Sequence, residues 1–547
     1  MKQKIEKLFH GGTIYTLKEE GDTVEALGVS DGKIVFAGKR EDAEKQFDIN
    51  ELIDLKGHVL LPSVADSHLH FYAYCQTLTT VDLGGCTTRA EALERLRKKA
   101  AETPKGVWIK GSNFDQSKWK DVEDKLPTKI DLDEVSTEHP IVMKRACLHA
   151  VVANSLAMKE ANVGDGYVFG PGGVAELDEH GSPTGVFKEQ ASKIFDDIVP
   201  DPLLDESVKS KLMAQVLKEA SALGITAFHT YAAQIWNFSE DLETYQELDA
   251  QGLLPVRMTI CLDEMYEKPV LTDAEKNDPY RKVQYGTFKI FTDGSFGARS
   301  AALMEPYSDD PTTKGIMVIE QDDLNEKTYN AYTNGLQPAT HCIGDGGLEA
   351  SILAMEYTLD RCRKEGWTEE DISRQLPFRL IHVQLCKPEQ LERLKKLPVI
   401  FDIQPVFLCT DLHWIEQRLG KERMKDAYTW KRYIDNGFIL CGGSDCPVES
   451  FNPWIGIYAA AARQDLNGYP DGGWYPEELV SIYEAYCMFS KNVPYANGEQ
   501  DYLGTLEMGK FADMIIIDRD LFKNTPAEIL DVKVLKTYLA GDEVFSA

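Results

Sequence analysis

The sequence predicts an α/β protein: a (β/α)8 TIM barrel, a small split β-sandwich domain contributed by both termini, and a long insertion after the first barrel strand. Three observations predict it. Eight short apolar segments recur along the chain, each followed by a helical or polar stretch. Two β-rich stretches flank them at the ends of the chain. The 547 residues also exceed the roughly 250 that one barrel needs, and most of the surplus falls in a single interval.

At the start, KLFHGGTIYTL, EALGVSDGKIVFAGK and ELIDLKGHVLL read as strands, with Asp31-Gly32 as a hairpin turn. GTLEMGKFADMIIIDRD and KVLKTYLAGDEVF repeat that character at the end. Neither stretch can bury a core alone, so residues 1–58 and 500–547 are expected to pair into one composite β domain. Residues 59–499 then form the barrel. Its strands are expected in VLLPSVADSH, GITAFHT, PVRMTIC, GTFKIFTDG, QPATHC, FRLIHVQ, VIFDIQP and FILCGGSD. Most starts lie roughly 20–50 residues apart, the spacing of βα units around a parallel sheet. KPEQLERLKKLP supplies one of the helices, with Pro388 near its first position. A doubly wound open sheet is the structural alternative. The interval 71–223 carries its own helix, AEALERLRKKAAE, and strands, GVWIKGS and PIVMKRA. An insertion there is expected to cap the active site, because substrates bind at the C-terminal mouth of such barrels.

A composition of 43% hydrophobic and 27% charged residues excludes disordered, collagen-like and disulfide-miniprotein classes. The net charge of −30, from 59 basic and 89 acidic residues, argues against nucleic acid or an anionic membrane surface as partner. No run of about 18 apolar residues occurs, and MKQKIEKLFHGG lacks the apolar stretch of a signal peptide. A cytoplasmic protein is expected. The eleven cysteines contain no C-x-x-C pair and read as reduced core residues.

The histidines carry the chemistry. His68 and His70 end the first strand in ADSHLHF; two apart on a strand, they face the same way and can converge on one cation. An isolated H-x-H is weak evidence, yet metal-ligand types recur at later strand ends: His341 in QPATHC, His382 in RLIHVQ and Asp445 in CGGSDCP. A barrel gathers those ends around its axis, so the set forms a divalent-metal constellation. His229, at the end of the second strand, stands at ligand height and reads equally as a packed residue. His10, His58, His139, His180 and His413 have no supporting context, and Trp454 reads as packing under a loop. In GTFKIFTDGS, Lys289, Phe291 and Asp293 share one face. A protonated lysine would repel cations, so Lys289 could not be a ligand in its usual form, and a lysine paired with an acid in the barrel interior is the plain alternative. Asp293 lies nearer the mouth, as a substrate contact or a loop anchor.

The segments VLLPSVADSHLH, PIVMKRACLHAVVANS, GTFKIFTDGSFGARSAAL, THCIGDGG, FRLIHVQ, GGSDCPVESFNPW and LGTLEMGKFADMIIID together resemble the amidohydrolase superfamily, and within it the YtcJ-like branch, over nearly the whole chain. The resemblance implies one or two divalent metal ions, with zinc the ion that suits these ligands, and a Lys289 carboxylated by carbon dioxide to bridge them. It places one ion on His68, His70 and Asp445 and the other on His341 and His382. It also implies that Asp445 accepts the proton of a metal-activated water and passes it to a leaving amine, in hydrolysis of a C–N bond. His149 matches a segment typical of the branch and, with His229, Asp293, Arg299 and Gln404, is a candidate substrate contact. Two departures stand out: Pro62-Ser63-Val64 replaces the usual Gly and bulky apolar residue, and Gly346 replaces the common Arg after Gly-Asp. Both are expected to bear on the substrate pocket. The partner implied is a small molecule, an N-acyl or N-formyl amine or a cyclic amide, and homo-oligomers are common on this fold. The alternatives are a non-catalytic binding or regulatory protein on the same fold, or a lactone or ester hydrolase with the same centre.

Overall fold

The computed structural model of the chain describes residues 3–116, 119–122, 125–145, 150–167, 173–232, 242–262, 274, 278 and 280–547. Two compact units divide it, Met1–Tyr72 with Ala214–Ala547, and Ala73–Met213.

The first unit holds the barrel. Its strands are β1 (Val64–Leu69), β2 (Ile225–Tyr231), β3 (Arg257–Leu262), β4 (Val283–Phe291), β5 (Gln337–Cys342), β6 (Phe378–His382), β7 (Val399–Ile403) and β8 (Leu440–Gly442). They hydrogen-bond in that order and every pair is parallel. All eight predicted segments supply a strand. Between β8 and β1 the ring is drawn together just past the strands, where the Asp445 N–H donates to the His68 carbonyl at 2.7 Å. Gly443 permits the approach, since a Cβ there would stand 2.6 Å from the His68 nitrogen. The helix Pro388–Leu394 begins with Pro388 in its first turn, as its sequence predicts.

The termini form one mixed eight-stranded sheet. In it, Met514–Ile517 pairs antiparallel with Val59–Pro62, which pairs parallel with Gln3–Tyr15. Asp31 and Gly32, both at positive φ, make the predicted turn between Thr23–Ser30 and Lys33–Gly38. One face buries Phe9, Leu27, Leu60, Met514, Ile516 and Tyr538, drawn from both ends of the chain. Each such side chain contributes about 1.5–3 kcal/mol on burial, which is what makes two short terminal stretches a stable layer. A buried bidentate pair ties this sheet to the barrel: Arg257, opening β3, donates to Asp513 at 2.7 and 3.0 Å.

The second unit has a six-stranded sheet and the helix Arg89–Glu102. Thr88 caps that helix by accepting from the Glu91 N–H, and Ala92, Leu93 and Leu96 turn its apolar face inward.

Candidate metal centre

Strand register sets the layer in which the candidate ligands meet. Phe291 on β4 lies opposite His341 on β5, and Cys342 lies opposite His382 on β6. His68, His70, Lys289, His341, His382 and Asp445 are all buried. The Asp445 Oδ1 stands 3.3 Å from His68 Nε2 and 3.2 Å from His70 Nε2. His341 and His382 meet edge to face with ring centroids 4.5 Å apart, and His382 lies 5.6 Å from His68. Donor atoms of His68, His382 and Asp445 fall within 4.8 Å of one another. His382 and Asp445 sit at φ 76° and 57°, a left-handed conformation costly for residues with a Cβ and typical of functional positions.

The donor chemistry fits a divalent cation. His68 Nε2 is buried without a hydrogen-bond partner. Three of the imidazoles engage an acceptor through Nδ1 and so present Nε2 to the centre. These are His70 to the Tyr231 carbonyl at 2.7 Å, His341 to Asp293 at 2.9 Å and His382 to Gln404 at 2.6 Å. Burial, reinforced by the charge of Lys289, lowers the pKa of His68 and His341; burial and the neighbouring His341 do the same to His382. Neutral imidazoles are the ligating form. Burial opposes ionisation of Asp445, but His68 and His70 outweigh it and hold the carboxyl well below its usual range. Burial pulls Lys289 down to about 8, against the pull of Asp445 and Asp402. Its Nζ lies 5.0 Å from the ring centres of both Tyr231 and Phe291.

Each described candidate for substrate contact has partners within the fold. β2 runs on to Tyr231, so Tyr231 occupies the ligand layer and stacks on His68 at 4.1 Å, while His229 lies one pleat deeper. There its Nδ1 accepts from Arg379 at 3.2 Å and its Nε2 lies 3.1 Å from the Asn497 amide. Asp293 is a loop anchor: besides His341 it accepts from the N–H groups of Ala302, Ile343 and Gly344, which fills both oxygens. Gln404 supports His382. Arg299 turns its guanidinium onto Asp309, at 2.9 and 3.1 Å. The expectation for His149 lies outside the described residues. Trp454 packs as expected, donating to the Leu223 carbonyl.

The two sequence departures also have local accounts. Ser63 precedes β1, far along the strand from the mouth, and bonds Thr226 and the Asp513 carbonyl at the junction with the terminal sheet. That departure bears on the base of the barrel and not on the substrate pocket. Beside Gly346, the cation facing Asp345 is Lys387, at 3.2 Å.

Sequence reasoning missed Tyr231, Arg379, Asp402 and Asp66. Arg379 and Asp402 pair at 2.6 Å with both side chains fully buried. Asp66 accepts from the His68 N–H and from Ser444, joining β1 to the turn after β8; burial lifts its carboxyl to about 7. The signal was available, since a charged residue inside a wholly apolar strand such as VIFDI demands a buried partner.

A nearly closed parallel barrel whose strand ends gather buried histidines and an aspartate around a cation-sized space is the architecture of a metal-dependent hydrolase. A family profile described as "Amidohydrolase family" matches residues 51–545. The chain is 31% identical to the putative amidohydrolase YtcJ of Bacillus subtilis (strain 168), over 99% of each chain. It is 23% identical to the N-substituted formamide deformylase of Arthrobacter pascens, over 99% of this chain and 98% of that one. The crystal structure of an uncharacterised metal-dependent hydrolase from Pyrococcus horikoshii aligns with a TM-score of 0.75 at 27% identity, covering 95% of this chain and 99% of that one. The chain belongs to the amidohydrolase family.

Proposed function

We propose that the protein hydrolyses an amide-type C–N bond of a small molecule, an N-acyl or N-formyl amine or a cyclic amide, at a centre formed by His68, His70, Lys289, His341, His382 and Asp445. The observation that carries the reading is the buried group of His68, His382 and Asp445, with His68 Nε2 left without a hydrogen-bond partner. A bound divalent ion, zinc being suited to imidazole and carboxylate ligands, supplies Lewis acidity and lowers the pKa of water towards about 7.

The chain's own groups do the rest. Asp445 is ionised and can take the proton of the attacking water, then return it to the leaving nitrogen. Lys289, with a pKa of about 8, has a neutral fraction at physiological pH, and the neutral amine is the form that adds carbon dioxide to become a carbamate. The aromatic faces of Tyr231 and Phe291 keep its amine in an apolar surround. The ten described cysteines are all buried, as reduced core residues in a cytoplasmic setting would be. Among the described residues no helix is long and apolar enough to cross a membrane.

The test is metal analysis joined to hydrolysis assays on N-acyl amino acids, N-substituted formamides, cyclic amides and lactones. Bound divalent metal, activity lost on chelation and activity restored by metal are the expected results. A protein with no bound metal and no metal-restored activity would overturn the reading.

A further inference from the structure

The four histidines of the centre differ in one respect. His70, His341 and His382 each have an acceptor for Nδ1 within 2.6–2.9 Å. His68 Nδ1 is buried and has no hydrogen-bond partner. Its neighbour is the Asp402 Oδ2, 3.7 Å away, beyond hydrogen-bond reach. Asp402 comes from β7, is fully buried and is fixed from its other sides. Its Oδ1 accepts from the Ser67 hydroxyl at 2.6 Å, and its Oδ2 from Arg379 at 2.6 Å and, more loosely, from the Tyr231 hydroxyl at 3.4 Å. Arg379 in turn donates to the Ser67 carbonyl at 2.8 Å, so pair and strand form one block beneath His68. A carboxylate offers about four acceptor positions, and the Ser67, Arg379 and Tyr231 contacts leave room for one further donor.

A histidine that ligates through Nε2 carries its proton on Nδ1, and metal-ligating histidines almost always donate that proton. We propose that Asp402 is a positioning residue for the metal centre, accepting the Nδ1–H of His68 once Nε2 binds a cation, with Arg379 and Ser67 holding its carboxylate in place. The inference rests on the metal-centre reading above. It makes the Arg379–Asp402 pair part of the site's machinery, and it explains why two charges lie within the barrel beneath the ligands.

The deciding experiment is a crystal structure of the wild-type protein loaded with zinc, together with zinc affinity by chelator competition for wild type and Asp402→Asn. The expected contact between His68 Nδ1 and Asp402 is about 2.7–3.2 Å, and the expected loss of zinc affinity in the variant is about 10–100-fold. The gap between zinc-loaded and zinc-free melting temperatures should narrow in the variant; a purely structural role would lower both temperatures and leave the gap unchanged. If Asp402→Asn does not fold, the wild-type contact decides alone. Zinc bound with the contact still at 3.7 Å, or a folded variant with wild-type affinity, overturns the proposal and leaves the metal reading intact. Absence of zinc from the wild-type protein overturns the metal reading itself.

Discussion

Asp293 shows how the loops around a centre can set the orientation of a candidate ligand. Three backbone N–H groups fill its remaining lone pairs, so its position is set by the loops after β4 and β5, and His341 takes its ring orientation from them. Replacing Asp293 by Asn puts an amide into a site built from donors. Metal affinity and activity are expected to fall by about 10–100-fold, measured by chelator competition and by kcat/KM. Lys289 offers a separate check. Lys289→Ala should lose metal and activity together, with partial rescue by short carboxylic acids; a metal-replete, fully active variant would refute a bridging role. Because burial depresses its pKa to about 8, the neutral amine becomes the major form as pH rises through that value. Reconstitution of metal-free protein with metal at a fixed concentration of dissolved carbon dioxide should therefore quicken with increasing pH and level off above about 8, as followed by recovery of activity. The candidate ligands were legible because H-x-H on a strand and His or Asp at successive strand ends follow from periodicity. Tyr231 was not, since β2 ends two residues beyond His229, which leaves His229 one pleat below the layer of the candidate ligands.

At the scale of the element, the seam between β8 and β1 is where one atom matters most. Gly443→Ala would push a methyl into the His68 backbone, 2.6 Å from its nitrogen and 2.8 Å from its Cβ. Overpacking of this kind costs about 1–3 kcal/mol, and the strand that gives way carries a ligand. Chemical denaturation should report the destabilisation, and metal content should fall with it. All eight barrel strands could be located from sequence because each is a short apolar run bounded by polar or turn residues. The buried pairs inside the barrel were less visible, since residues such as Arg379 and Asp402 acquire meaning only when β6 and β7 stand side by side. The loops past the strands were the least legible part: Arg299 and Gln404 were placed correctly along the chain, but their side-chain partners, Asp309 and His382, depend on how each loop folds back.

Over the whole molecule, a buried charge pair joins the terminal sheet to the barrel. Asp513→Ala would leave the Arg257 guanidinium buried beside Phe511 without its carboxylate. Breaking one side of a buried pair is expected to cost about 3–5 kcal/mol, a loss visible in the unfolding midpoint even with metal bound. The joining of the two ends was legible because each stretch alone lacked enough apolar surface. The closure after β8 has a consequence for how the protein is made. His68 leaves the ribosome early, but the backbone and carboxylate that complete its surroundings belong to Asp445. A nascent chain that displays only His68 and His70 lacks His382 and Asp445, so the buried cluster can assemble only once β8 has emerged and docked.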